Sequence, residues 1–538
     1  MSTLLSEKIS NVRTTVIKSK MTASEARKVI IASSLGTLFE WYDFFIYGSL
    51  AAYFSSLFFP KGNETAAFLA SLAAFGAGFA VRPIGALIFG AIGDRAGRKT
   101  SFLITIILMG ASTAALGFLP TFSTWGWASP VALVSLRLLQ GLALGGEYGG
   151  AATYVAEHAP SGRRGTWTSW IQATATLGLL ASLIVVLACR LLLSAEQFAD
   201  WGWRIPFIIS IGLLLVSIYV RARVDESPVF RAMQREGRLS SRPVSETLRD
   251  PVNLKRIAIM LFGTQAGLAA VWYTCQFYAL FFLVSTMKMP FVPAYGCVAT
   301  ALVISTPMFV FFGWLSDRIG RKWIVLTSFA LAALTLFPIF GKMAEYANPG
   351  LTEFQRKTSV QISGNDCNFN LFATPTTPCD LARDFLAKAG LSYAMQPPAP
   401  GVDVIVRIGD RELRGFDAGR LKQELDASGY PQQGAANPDV IPLTALLVLM
   451  MVYVTMAYAP MAAYFVELFP ARIRYTSMSI TYHIGVGWLG GFSPFICAAL
   501  VIHAGNILSG LWYPVILAAL SFFIGALFIR ETVDSDIA

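Results

Sequence analysis

One charged phrase occurs twice in this 538-residue chain. Gly90-Ala-Ile-Gly-Asp94-Arg95-Ala-Gly97-Arg98-Lys99 returns roughly 220 residues later as Gly313-Trp-Leu-Ser-Asp317-Arg318-Ile-Gly320-Arg321-Lys322, and each copy lies between two long apolar runs. A helix needs about 20 apolar residues to cross the hydrocarbon of a bilayer. A short charged loop between two such runs turns the chain back at the membrane surface. A loop repeated at corresponding points of two apolar halves reads as a transporter with internal repeats, whose two bundles rock about a site between them.

Composition agrees. Hydrophobic residues make up 55% and charged residues 14%, where soluble domains carry nearer a quarter charged, and mean hydropathy is +0.57. The net charge of +10 raises the question of nucleic acid. That partner is rejected, because the basic residues follow a membrane topology and form no face or stripe. Six Cys and three His supply no metal-ligand spacing and no disulfide scaffold, so neither a metal nor another cofactor is expected. An enzyme is not expected either: there is no nucleophile elbow or phosphate-cradling loop, and the glycines of Gly145–Gly150 lie in an apolar helix.

Twelve spans are expected, in an all-α membrane protein of two pseudo-symmetric six-helix bundles. Six lie near 29–55, 66–92, 101–119, 129–156, 166–192 and 203–222, and six near 256–285, 291–314, 323–342, 440–466, 476–502 and 509–530. Lys and Arg near the ends of short loops set the orientation. Lys18, Lys20, Arg27 and Lys28 precede the first span; Arg95, Arg98, Lys99, Arg163, Arg164, Arg318, Arg321, Lys322, Arg472, Arg474 and Arg530 occupy the even-numbered connections and the end. Both termini are therefore placed in the cytoplasm of a bacterial inner-membrane protein. The resulting division is a cytoplasmic tail (1–28), an N-terminal bundle (29–222), a cytoplasmic central loop (223–255), a C-terminal bundle in two parts (256–343 and 439–530) and a cytoplasmic tail (531–538).

Residues 344–438 break the pattern. They are polar, far longer than their counterparts, and read as a small folded module outside the cytoplasm. Asp380–Ala389 looks helical with Asp380 as N-cap. Val402–Phe416 alternates about Gly409-Asp410 as a hairpin, and Leu421–Ala427 is helical. In an oxidising compartment Cys367 and Cys379 suit a disulfide, with two unpaired thiols as the alternative.

The repeated phrase has structural work to do. Gly97 and Gly320 permit a left-handed turn after a helix. Asp94 and Asp317 sit where they can meet a neighbouring helix N-terminus or an Arg across the half, and contacts of that kind bias one conformational state. Arg95, Arg98, Arg318 and Arg321 join them in a gating set. Here the chain resembles the major facilitator superfamily, which carries this phrase between its second and third and between its eighth and ninth helices. Further phrases resemble the metabolite:proton symporter branch: Phe39-Glu40-Trp41-Tyr42-Asp43-Phe44, Arg82-Pro83-Ile84-Gly85, Arg137-Leu-Leu-Gln140-Gly141 with Gly145-Gly146-Glu147-Tyr148-Gly149-Gly150, Glu226-Ser227-Pro228, and Glu467-Leu-Phe-Pro470-Ala-Arg472-Ile-Arg474. The resemblance covers nearly all of the chain outside the 344–438 insertion, which is a departure from the branch. It implies symport of a small ionic metabolite with protons. The chain lacks the coiled-coil tail of the osmosensing members, which argues against an osmolyte.

Ionisable groups inside a membrane are costly and mark function. Glu40 is roughly 16 Å into the first helix at 1.5 Å per residue, and Arg82 about 18 Å above the inner surface. Asp43 shares a face with Glu40. Arg137 and Glu147 lie in the fourth helix, where Gly141, Gly145 and Gly149 permit close helix approach. In the functional reading Arg82 or Arg137 holds an anionic group by paired hydrogen bonds, with Tyr42, Gln172 and Gln265 as further substrate contacts. Asp43, Glu40 or Glu147 carries the proton. The alternative is permanent pairing of the two arginines with these carboxylates inside the N-terminal half. Glu157 and Arg164, mirrored by Glu467 and Arg472, are expected as structural ion-pair groups at the cytoplasmic edge. His483 reads as a hydrogen-bonded packing residue, with a proton-carrying role as the alternative. The expected activity is import of a mono-, di- or tricarboxylate with protons by a monomer in the lipid bilayer; a zwitterion carrier or exporter is the alternative, and a membrane sensor a remote one.

Overall fold

The computed structural model describes residues 23–60, 64–96, 98–146, 148–160, 162–222, 234–236, 243–365, 367, 375–397, 404–431, 438–470 and 473–533. Twelve helical segments cross the molecule. The first is Ala23–Phe58 and the third Arg98–Gly117. The other ten are long and apolar enough to span a bilayer: Ala66–Gly90, Ala128–Thr153, Arg164–Leu192, Gly202–Tyr219, Pro251–Thr286, Phe291–Ile319, Lys322–Ala347, Val440–Leu468, Arg474–Ala504 and Ser509–Phe528.

Spans one to six pack as one bundle and seven to twelve as a second. The fifth span lies along the eighth, and the second against the eleventh, where the bundles meet. Within the first bundle, glycine lets the second and fourth spans touch backbone to backbone. A Cβ on Gly141 would overlap the Gly78 carbonyl oxygen, and one on Gly145 the Arg82 carbonyl. Gly141→Ala is expected to destabilise the protein by about 3 kcal/mol, the upper range for overpacking a tight core, read as a fall in the midpoint of thermal unfolding in detergent.

Five spans break their helical regularity, among them the tenth, between Val440–Tyr458 and Met461–Leu468. The second divides into Glu64–Ala80 and Arg82–Ala96, where Pro83 lacks a backbone donor. The fourth divides at Gly146. The seventh contains the π turns Leu261–Gln265, Thr274–Tyr278 and Phe282–Thr286, and the eleventh the π turn His483–Gly490. Such turns displace side chains from helical register and gather at functional positions.

Between the ninth and tenth spans the chain builds a small α/β unit. Its strands β1 (Val360–Gly364), β2 (Ala394–Gln396), β3 (Val404–Ile408) and β4 (Arg411–Arg414) form one sheet in the order β2-β1-β3-β4, with β1 parallel to β2 and antiparallel to β3. The β3–β4 hairpin turns at Gly409-Asp410, with Gly409 at φ +57°. Val360, Ile362, Val404, Val406 and Leu413 bury against Leu386, Leu421 and Leu425. The helix Pro378–Lys388 starts earlier than expected: Thr377, not Asp380, is the cap, its hydroxyl accepting from the Asp380 amide. Cys367 and Cys379 are joined, their Cα atoms 5.1 Å apart.

Candidate functional site

Arg82 opens the lower half of the second span and is fully buried. Its guanidinium carbon lies 3.9 Å from the Phe79 ring centre, 4.5 Å from Phe44 and 5.3 Å from Trp41. None of its three side-chain nitrogens has a hydrogen-bond partner among the described residues. Cation–π contacts of this kind are worth about 0.5–2 kcal/mol, whereas removing a cation from water costs several kcal/mol. The rings therefore orient the charge without compensating it. Across the interface the tyrosines at 273, 482 and 458 lie within electrostatic reach of it, Tyr273 foremost.

Arg137 is differently housed. Its Nη1 donates to the Gln140 side-chain oxygen (2.6 Å) and to the Phe44 carbonyl (3.2 Å), while Gln140 Nε2 donates to Thr113 (2.7 Å). Its guanidinium also covers the Phe44 ring at 4.1 Å and the Tyr47 ring at 4.7 Å. Arg137 thus braces the first bundle from within, and Phe44 carries both cations. Among the described residues neither arginine is ion-paired with a carboxylate, so the permanently paired arrangement is not seen there.

Four residues stitch the bundles together below Arg82. Gln172 Nε2 donates to the Tyr148 hydroxyl (2.9 Å) and to the Tyr458 carbonyl (3.2 Å). Tyr148 stacks on Tyr482 at 3.7 Å, and the Tyr458 and Tyr482 hydroxyls lie 2.8 Å apart. The Gln172 and Gln265 side-chain oxygens accept nothing among the described residues. His483 is fully buried, facing Arg82 and the Gly145 carbonyl, the one backbone group among the described residues near enough to pair with its ring. The void enclosed by Trp41, Ala175, Trp272, Tyr273, Tyr458 and Tyr482 is about 10 Å³, roughly the space of one water. Stacked and edge-on rings close it toward the sheet-bearing end: Phe45 on Trp272 at 5.3 Å, Phe79 on Tyr273 at 5.1 Å and Phe75 on Phe277 at 5.1 Å.

Two expected site residues face elsewhere. Tyr42 donates its hydroxyl to the Pro206 carbonyl (2.9 Å), so it points into the first bundle and not at the cleft. Asp43 is directed to the same side, toward Ser210 of the sixth span, with its Oδ1 unpartnered among the described residues. The cause is helical phase: Trp41 and Phe45 (i, i+4) take the face toward the second bundle, which leaves 42 and 43 for the first bundle's interior. Glu40 is buried in the same helix. Glu147 lies outside the described residues. Tyr42→Phe is expected to lose about 1 kcal/mol of stability and to leave the KM for uptake unchanged, as measured by thermal unfolding and initial rates.

At the end opposite the sheet, the second copy of the repeated phrase closes the interface. Asp317 accepts from the Gly165 amide (2.7 Å), the Thr166 amide (2.8 Å) and the Thr166 hydroxyl (2.8 Å), capping the fifth span from the other bundle. Arg321 donates through Nε and Nη2 to both oxygens of Glu467 at 2.7 Å each. Glu467 also takes Arg164 from the first bundle (3.5 Å) and Thr532 (2.9 Å). Arg318 is exposed and lies over Trp314 at 4.0 Å, away from the gate. Gly320 has φ +96° and ψ 163°, a conformation open essentially to glycine alone rather than the left-handed helical turn expected. Gly97 and Arg472 lie outside the described residues, as do the side chains of Asp94, Arg95, Arg98 and Glu157.

Sequence reasoning did not single out Tyr273, Tyr458 or Tyr482 as site residues. A tyrosine in an apolar run is equally a packing or interfacial residue, so only its facing identifies it.

The family model described as sugar (and other) transporter matches residues 28–287. The shikimate transporter of Escherichia coli K12 is 38% identical over 328 residues, covering 60% of this chain and 73% of the relative. The alpha-ketoglutarate permease of the same organism is 35% identical over 341 residues, covering 62% and 77%. The fold matches that of a proton:xylose symporter with a TM-score of 0.59 at 16% identity, over 96% of this chain and 98% of that one.

Proposed function

The chain belongs to the major facilitator superfamily, and from that premise we propose that it imports a small organic anion together with protons. It is a multi-pass membrane transporter of the secondary type and not an enzyme. The observation that carries the anion reading is Arg82: a buried guanidinium, oriented by three rings, with no hydrogen-bond partner among the described residues. A carboxylate entering the cleft would meet two parallel donors and supply the missing countercharge. Gln172, Gln265 and the tyrosines at 148, 273, 458 and 482 would fix the rest of the molecule. Shikimate and alpha-ketoglutarate, named in two relatives, are both carboxylates, which supports the class without choosing the member.

Proton coupling is assigned to the buried carboxyl groups Asp43 and Glu40, with Glu147. Asp43 adjoins Phe44 and lies two residues from Trp41, two of the rings that hold Arg82. A charge change there acts on the helix that positions the binding cation. The face opposite the sheet, where the basic loops gather, is assigned to the cytoplasm, and the transporter is taken to act as a monomer.

Proteoliposome uptake tests the reading. Labelled shikimate, alpha-ketoglutarate and citrate are offered with and without an inward proton gradient, with betaine and proline as competitors. Concentrative uptake of one carboxylate that collapses with the gradient is expected. Gradient-independent uptake removes the coupling, and competition by betaine or proline but by no carboxylate removes the anion.

A further inference from the structure

Hydrogen-bond polarity around the central void narrows what the void can take. Four buried side chains about it carry polar atoms without a partner among the described residues: the Arg82 guanidinium nitrogens, Trp272 Nε1, Gln172 Oε1 and Gln265 Oε1. Trp272 lines the void, and so does Trp41, whose ring helps to orient Arg82. Gln172 precedes Ala175 by three residues on the fifth span. Gln265 precedes Leu268 and Ala269 by three and four on the seventh. Ala175, Leu268 and Ala269 all line the void. Residues at those spacings share a helix face, so each amide stands one turn from the void, on the side of the Asp317 gate.

Neither amide can be turned round. Gln172 meets the Tyr458 carbonyl at 3.2 Å. A carbonyl only accepts, so the Gln172 nitrogen must be there and its oxygen is directed away. The Thr264 hydroxyl gives its hydrogen to the Met260 carbonyl (2.7 Å) and therefore accepts from Gln265 Nε2 (3.3 Å), which again leaves the oxygen over. Gln265 is also wedged in place: a Cβ on Gly485 would lie 2.4 Å from the Gln265 Cβ, so the π turn of the eleventh span packs directly against it. The site thus presents two fixed acceptors.

Water does not complete them. The void is about 10 Å³, roughly one water. Gln265 and Trp272 are seven residues apart, about 10 Å along the helix axis, so a single water reaches only part of the set. Buried groups left unpaired are costly, and native structures hold few of them. The missing partners are those a solute would bring. Arg82 and Trp272 offer only hydrogens, and the two amide oxygens offer only lone pairs. An ionised acid without hydroxyls has no hydrogen to give, and its oxygens would oppose the amide oxygens.

The cations limit the number of carboxylates. Among the described residues none that lines the void is charged, and Arg82 is the cation held against its wall by Trp41. Arg137 is engaged inside the first bundle by Gln140 and the Phe44 carbonyl. A second carboxylate in the void would be a buried charge without a counterion.

We propose that the transported solute is a monocarboxylate bearing at least two hydroxyl groups. Arg82 takes the carboxylate, Gln172 and Gln265 accept from two hydroxyls, and Trp272 donates to a remaining oxygen. The inference rests on the organic-anion reading above and selects within it. Gln172 and Gln265 determine specificity through the polarity of their oxygens, because a site built to pair a hydroxyl rejects the analogue that lacks it.

The purified transporter in detergent is titrated with matched acids, and binding is read from the upward shift of the unfolding midpoint. Quinate and gluconate carry one carboxylate and several hydroxyls. Cyclohexanecarboxylate is the quinate skeleton without them, and alpha-ketoglutarate and succinate carry two carboxylates. Quinate or gluconate is expected to bind at least about 10²-fold more tightly than cyclohexanecarboxylate or either dicarboxylate, at about tenfold or more for each stranded acceptor. Gln265→Met keeps the side-chain length and removes one acceptor. It is expected to weaken the hydroxylated acid about tenfold and to leave cyclohexanecarboxylate unchanged. Binding of cyclohexanecarboxylate or a dicarboxylate as tight as that of the hydroxylated acids overturns the proposal and leaves the organic-anion reading standing. A preference undiminished in Gln265→Met overturns it as well; if that variant does not fold, the panel on the unmutated protein decides. Binding of betaine or proline and of no acid removes the organic-anion reading, and this proposal with it.

Discussion

Arg82→Gln is expected to abolish concentrative uptake while leaving a folded protein in the membrane. A pair of charge-assisted hydrogen bonds contributes about 3–5 kcal/mol to binding of a carboxylate, so loss of the guanidinium lowers kcat/KM by about 10²–10³-fold. Arg82→Lys is expected to fail nearly as badly. An ammonium cannot present two parallel donors, nor lie flat between the Phe79 and Phe44 rings, whose centres are 3.9 and 4.5 Å from the guanidinium carbon. Stability should not follow activity. Arg82 has no hydrogen-bond partner among the described residues, so its removal orphans no group there and relieves a buried charge. The midpoint of thermal unfolding in detergent is expected to hold or rise, while the upward shift caused by added carboxylate in the unmutated protein disappears. Uptake retained within tenfold, or a collapse of the unfolding midpoint, would show that Arg82 is a structural cation.

Asp317→Asn is expected to open the opposite end. One carboxylate of the second bundle here holds two backbone amides and a hydroxyl at the start of the fifth span. The amide variant loses the charge and turns one acceptor into a donor facing Thr166. Weakening charge-assisted bonds of this type costs about 3–4 kcal/mol in the closed arrangement. That moves the equilibrium between closed and open gates by about 10²–10³-fold. Cysteines placed beneath the gate should react with a permeant thiol reagent at least tenfold faster in the variant, and net uptake should fall in proportion. Glu467→Gln gives a second reading of the same gate. It leaves Arg321 with weakened partners in a buried setting, where breaking an ion pair costs about 3–5 kcal/mol. Its loss should appear in stability as well, because Glu467 binds Arg321 of its own bundle at 2.7 Å and Arg164 of the other at only 3.5 Å. Reactivity beneath the gate unaltered by Asp317→Asn would remove the cap from the gating mechanism.

The contrast between Arg82 and Tyr42 shows how far the sequence could be read. Both stand in dense motifs of the second and first spans. Depth follows from counting residues along a helix, as for Arg82. Facing depends on which neighbours a helix packs against, and a nearly uniformly apolar helix carries little periodicity to reveal it. Tyr42 and Asp43 therefore turn to Pro206 and Ser210, while Trp41 and Phe45 take the cleft. His483 was weighed as a packing residue because a lone histidine in an apolar run usually is one. The π turn that begins at His483 rotates it toward Arg82, and no sequence period announces such a turn.

Apolar length, the positive charge of alternate loops and the duplicated Asp-Arg-x-Gly-Arg phrase settle the twelve spans, the two-bundle division and the membrane transporter class. They do so because hydrocarbon admits little besides a helix that satisfies its own backbone. Which buried groups share the cleft was decided only in three dimensions. The pairing of Asp317 with Gly165 and Thr166 joins residues about 150 positions apart, with little in either local sequence to record the meeting. Such contacts arise from how the helices pack against one another, and the same apolar pattern is compatible with many rotations of each helix about its axis.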